Sequence, residues 1–134
     1  MKPSIQERME RQISKVEEYN TLFDVVVTQA ETSLSTQAAN PADNQYVITT
    51  GSFITTITCN DNDWAAVTVN IDVPALDMSS RVADIQINVS GQMEEDYHNM
   101  PRNVRAQVLA LIDDIYEAIQ AYIDNNTTNT EEEN

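Results

Sequence analysis

Between Ser4 and about Ser35 apolar residues recur at helical intervals, at Ile5, Met9, Ile13, Val16, Phe23, Val27, Ala30 and Leu34, and no Gly or Pro interrupts them. That spacing predicts one long amphipathic helix. Val25, Val26 and Val27 lower its intrinsic propensity, because branched side chains lose rotamers in a helix, so burial must hold that turn. Ala38 to Asn44 reads as a linker, in which Pro41 pushes Asn40 out of helical geometry.

From Tyr46 to Ser90 the period becomes two, the signature of strands with one buried face. Phe53, Thr55, Ile57 and Cys59 form one inward row. Ala65, Val67, Val69, Ile71 and Val73 form a second, and Ala83, Ile85, Ile87 and Val89 a third. The intervening positions are polar: Thr56 and Thr58, then Thr68, Asn70 and Asp72, then Asp84, Gln86 and Asn88. Asn60 to Asp63 is rich in side chains that bond their own backbone, which predicts a short hairpin loop and antiparallel pairing. Gly51 marks a bend that sets off Tyr46 to Thr50 as a short fourth segment, and Pro74 closes the second strand because it has no N–H to donate.

A loop from Met93 to His98 leads to Pro101, a favoured first residue of a helix. Val104, Val108, Leu111, Ile115, Ile119 and Tyr122 then mark a second amphipathic helix. Residues 125–134 are polar, end in Glu131, Glu132, Glu133 and Asn134, and are expected to be a disordered acidic tail. The expected fold class is α+β: a two-layer α-β-β-β-α domain over residues 1–124. A three- to four-stranded antiparallel sheet is packed on one face by a long N-terminal helix and a C-terminal helix. The order of elements resembles that of double-stranded-RNA-binding domains, which grip phosphates with lysines at the start of their last helix. Here that place holds only Arg102 and Arg105, near Asp113, Asp114 and Glu117, so the resemblance covers order alone.

Charge narrows the function further. The 134 residues include 22 Asp and Glu against 7 Lys and Arg, a formal net charge of -15. No Lys or Arg occurs from Val16 to Ser80 or from Ala106 to Asn134. Such a surface repels phosphate backbones and anionic membranes, so neither nucleic acid nor membrane is an expected partner. The start lacks an apolar signal segment and no run of about 18 apolar residues occurs, which points to the cytoplasm, or the host cytoplasm for a viral protein. The single Cys59, in an alternating apolar row, is expected to be a small buried hydrophobe.

Catalytic chemistry finds little support. The only Cys and the only His lie in different settings, and two glycines cannot build a phosphate-cradling loop. Glu94, Glu95, Asp96 and His98 could offer hard oxygen ligands and one imidazole, but neither a metal nor a cofactor is the expected reading. Asp61, Asn62 and Asp63 open like a calcium loop, yet Trp64 follows where that loop needs its turning Gly.

The informative pattern is a stripe of acids. Glu10, Glu17, Asp24 and Glu31 recur every seven residues along the first helix, with Glu18 beside them. Seven residues nearly complete two turns, so the carboxylates repeat about every 10.5 Å along one face. Asp113, Glu117 and Asp124 make a second stripe on the last helix. Like charges at such spacing oppose one another by a few tenths of a kcal/mol, and ordinary solvated helices alternate the signs. The pattern therefore predicts a non-enzymatic binding protein whose acidic faces engage a basic protein surface. One form of it is a nucleic-acid mimic that inhibits a nucleic-acid-binding protein, as small inhibitors of viruses and mobile elements do. The alternative is an assembly subunit or chaperone that contacts its partners through the long first helix and the open sheet face. Ile5, Met9 and Ile13 are then the oligomer contacts, because a helix of about 48 Å outreaches strands of about 27 to 33 Å.

Overall fold

The computed structural model describes residues 5–35, 38–60, 62–74 and 81–133, with side chains described at 17–35, 39, 42–60, 62–74 and 81–125. The chain runs α1 (Ile5–Leu34), β1 (Ala38–Ala42), β2 (Gln45–Thr49), β3 (Ile54–Cys59), β4 (Val67–Asp72), β5 (Arg81–Ile87), β6 (Met93–Tyr97) and α2 (Arg102–Glu133). All six strands form one antiparallel sheet in sequence order, a meander in which each strand pairs with the next. The class is α+β, as the periodicities require, but the sheet is wider than three or four strands.

Both added strands lie at the margins. Ala38 to Asn44, read from sequence as a linker, instead supplies β1 and its turn into β2. Its register shifts between Ala39 and Ala42, so Pro41 sits at an irregularity on an edge, where a residue without an N–H does least harm to the ladder. Met93 to Tyr97, read as loop, is β6. Its Glu and Asp residues have low strand propensity, and pairing along β5 overrides it.

The inward rows hold as expected. Ile48, Phe53, Ile57, Cys59, Val67, Val69, Ile71, Ala83, Ile85 and Ile87 are buried on one face of the sheet. Tyr19, Leu22, Phe23, Val26, Val27 and Ala30 of α1 and Val104, Val108, Leu111, Ile112, Ile115 and Ile119 of α2 cover them. Burying one such Leu, Ile or Val contributes about 1.5 to 3 kcal/mol, which offsets the weak helix propensity of Val26 and Val27. Ala65 departs from the expected row: Ala66 and Val67 are both buried and β4 begins at Val67, two residues later than the alternation implied.

The helices end as their local chemistry directs. Pro101 stands one residue before α2, and its carbonyl accepts from Val104 N at 3.3 Å and Arg105 N at 3.2 Å. α2 continues past Asp124 to Glu133, where no Gly or Pro intervenes to stop it. At the other end of the chain, α1 closes with Ser35 at φ 51°, a left-handed residue whose N–H bonds back to Glu31 O at 2.9 Å. No described helix is long and apolar enough to cross a membrane.

Candidate functional site: an acidic helix layer and an acidic sheet margin

The helices pack against each other in opposite directions. Ser33 Oγ of α1 donates to Asp114 Oδ2 of α2 at 2.8 Å. Earlier on α1, Thr21, Asp24, Val25, Thr28 and Gln29 line a groove of ≈360 Å³ with Ala118, a later residue of α2. Glu17, Asp24 and Glu31 lie on the same helical stripe as the groove residues Thr21 and Thr28, so the acids of α1 border this seam. Glu117 adjoins Ala118 on the other bank, with Asp124 two turns along.

Glu17, Glu18, Asp24, Asp113, Glu117 and Asp124 are exposed and Glu31 is half-buried. None of these seven has an ion-pair partner among the described residues. The side chains of Glu10, Ile5, Met9 and Ile13 lie outside the described residues. Asp113 shares one face of α2 with Glu117 and Asp124, four and eleven residues on, and its charge also acts on Tyr97. Asp114, half-buried and held by Ser33, takes part in the helix contact instead.

The uncovered face of the sheet carries a second polar cluster that sequence alone did not reveal. Arg81 Nε donates to Asp72 Oδ1 at 2.9 Å and Arg81 Nη1 to Asp84 Oδ1 at 2.7 Å. Asn70 Nδ2 also donates to Asp84 Oδ1, at 2.6 Å, and His98 Nε2 lies 3.2 Å from Asp84 Oδ2. Partial burial opposes the Asp84 charge, but the bonds from Arg81, Asn70 and His98 outweigh it and hold the carboxyl below the usual range. Partial burial likewise opposes the Arg81 charge, and the bonds to Asp72 and Asp84 raise its affinity for the proton above the ordinary guanidinium value. Thr68, Asn70, Asp84, Gln86, Glu94 and Asp96 line a shallow groove of ≈500 Å³ beside this network. Its lining is mostly acceptors, suited to ligands that present N–H groups or positive charge.

Strand alternation divides the acids of β6. Glu94 and Asp96 pair with Gln86 and Asp84 on the uncovered face, whereas Glu95 pairs with Ile85 and turns to the helix side. The quartet Glu94, Glu95, Asp96 and His98 is thereby split, and among the described residues no three carboxylate, imidazole or thiol groups converge as a metal site. The His98 ring lies 3.2 Å from Asp84 and 3.8 Å from Asp96. Cys59 is buried and donates weakly to Asn20 Oδ1 at 3.8 Å.

Two exposed apolar features complete the surface. Trp64, 83% exposed, stands on the β3–β4 loop. Tyr19 OH bonds to Asp63 in that loop, Val89 N bonds to Asp63 O at 3.1 Å, and Trp64 N bonds to Asn62 Oδ1 at 2.9 Å. Along the other margin lie Tyr97, Leu109 and Tyr116. Burial, the Glu95 carboxylate that accepts from its hydroxyl at 3.0 Å, and the charge of Asp113 push the Tyr97 phenol up to about 12. Leu109 and Tyr116 are seven residues apart and off the main apolar stripe, a signal present in the sequence but without meaning while β6 was read as loop.

The fold and surface define an α+β protein with a six-stranded meander, one face sheathed by two acidic helices and the other open and polar. Comparison of the chain with protein-family models, with curated proteins and with solved structures gave no match.

Proposed function

We propose that this protein is a non-enzymatic binding protein whose acidic helix layer engages the basic surface of a partner. The observation that carries the reading is the unpaired state of Glu17, Glu18, Asp24, Glu31, Glu117 and Asp124 on the solvent side of the helix layer. Folding gains nothing from such an arrangement, since like charges three, four or seven residues apart on a helix repel. Meeting a cationic surface turns the same repulsion into attraction and accelerates encounter. The partner class that fits is a nucleic-acid-binding protein, whose phosphate-gripping lysines and arginines the carboxylates would occupy in place of phosphate.

The test is to recover binding proteins from the native host and measure the affinity of one at low and high salt. The native chain is compared with the combined variant E17Q, D24N, E31Q, E117Q and D124N. Affinity is expected to fall steeply with salt, because the Debye length shrinks from about 10 Å at 0.1 M to about 3 Å at 1 M. The variant is expected to lose binding while its thermal transition persists. An affinity unchanged by both salt and substitution would overturn the reading.

A further inference from the structure

β6 closes the sheet on one side, and its outer edge pairs with nothing among the described residues. Two backbone bonds of 3.0 Å frame its pairing with β5, from His98 N to Val82 O and from Asn88 N to Gln92 O. Bonded and unbonded pairs alternate along an antiparallel ladder. Asp96 and Glu94 therefore exchange bonds with Asp84 and Gln86, and the N–H and C=O groups of Met93, Glu95 and Tyr97 point away from the sheet. The inward side chains of β6 and its free backbone groups thus belong to the same residues.

Beside that edge lies an uncovered apolar margin. Tyr97 is 42% exposed, Leu109 39% and Tyr116 47%, so three of the four large hydrophobics exposed among the described residues gather here. Tyr97, Met100, Arg105 and Leu109 line a groove of ≈380 Å³. Residues paired across a ladder share a face, so a strand laid on β6 would direct the side chains opposite Glu95 and Tyr97 into this margin. Those opposite Glu94 and Asp96 would emerge on the uncovered acidic face.

Charge decides what kind of strand fits. A second copy pairing through its own β6 would set Glu94, Glu95 and Asp96 against the same residues, and like charges directly opposed destabilise a ladder. The other edge, β1, is interrupted at Pro41 and offers no equivalent template. We infer that β6 accepts an extended segment of a basic partner as a seventh strand, with lysine or arginine opposite Glu94 and Asp96 and apolar side chains against Tyr97, Leu109 and Tyr116. This inference rests on the proposed basic partner and adds where it binds and in what conformation. The main-chain bonds supply attachment and the alternating pockets supply selectivity, as in other cases of strand addition.

The experiment uses the full chain and an eight-residue peptide of alternating lysine and valine, with a second peptide of the same sequence N-methylated at every residue as the control. Amide hydrogen exchange is read residue by residue at low salt with saturating peptide. The expected result is slowing on the order of tenfold or more at Glu95 and Tyr97, equivalent to about 1.4 kcal/mol of protection, with Glu94 and Asp96 unchanged because they already bond to β5. The methylated peptide, which keeps the charge but cannot pair, is expected to leave Glu95 and Tyr97 exchanging freely. If both peptides bind equally and neither slows Glu95 or Tyr97, strand addition is overturned while the acidic-surface reading stands. If neither peptide binds at low salt, both fall. Protection of the same amides without peptide, growing with protein concentration, would assign the edge to a second copy and overturn the inference.

Discussion

Arg81 Nη1 and Asp84 Oδ1 lie 2.7 Å apart on the uncovered face of the sheet, although they stand three positions apart on one strand. In an unbroken strand residues i and i+3 point to opposite faces. Here the pairing of β4 with β5 slips between Ile71 and Asp72: Ile71 faces Ala83, and Asp72 faces Arg81. Val82 is the extra residue, and it is buried next to buried Ala83. The bulge thereby turns Arg81 outward, beside Asp72 and Asp84.

Removing that guanidinium takes away the cation that Asp72 and Asp84 share. R81A is expected to destabilise the fold by about 0.5 to 1 kcal/mol, the scale of a partly exposed pair. Urea unfolding should show the midpoint lowered with the slope unchanged. A midpoint at or above that of the native chain would contradict the network's role.

Asp84 also gives a pH dependence whose sign is determined. Its folded pKa is depressed, so the folded state binds fewer protons than the unfolded one as pH falls below about 4. The stability it contributes is fully present above the ordinary carboxylate pKa and is lost as pH falls through the folded value. D84N should therefore lower stability at neutral pH, and the gap between variant and native chain should close in acid. A gap that is constant from neutral to acid pH would refute the assignment.

Thr55 faces the core from β3 at 0% exposure, and among the described residues its Oγ1 has no hydrogen-bond partner. A buried hydroxyl left unpaired costs about 1 to 3 kcal/mol relative to a satisfied one, whereas valine has nearly the same shape and no polar atom. T55V is expected to raise stability by about 1 kcal/mol in chemical denaturation. Destabilisation would mean that the hydroxyl has a role in the core.

The two glycines should respond in opposite ways. Gly91 sits at φ +85°, and a Cβ there would lie 2.8 Å from Ile123 Cγ1 and 3.2 Å from Ile119 Cγ2. Gly91 O also accepts from Gln120 Nε2 at 3.0 Å, so the turn cannot simply move away from α2. G91A is expected to cost about 1 to 3 kcal/mol, the range for a non-glycine residue held in the left-handed region. Gly51, in the β2–β3 turn with open space around it, should accept alanine with a change under about 1 kcal/mol in melting experiments.

The central strands and both helices were legible because burial acts through periodicity. Phe53 to Cys59, Val67 to Val73 and Ala83 to Ile87 alternate since one face of each meets the helices, and Val104 to Ile119 repeat at helical spacing for the same reason. The outermost strands were not legible. Met93 to Tyr97 has one half-buried apolar residue and three acids, and its strand character comes from the ladder it shares with Ile85 and Ala83. Ala38 to Ala42 similarly gains its conformation from β2 despite Pro41.

The acid spacing, the absence of basic residues over long stretches, the buried Cys59 and the α+β class were all written in the order of residues along the chain. Each depends on local period or composition, which needs no knowledge of distant neighbours. Tertiary structure alone decided that Glu17, Asp24 and Glu31 border a seam with Ala118, that the charge of Asp113 acts on Tyr97, and that Arg81 reaches Asp84. Those relations depend on helix direction, strand register and a single inserted residue. Such choices are settled by how whole elements pack, since a shift of one position reverses which face a side chain occupies.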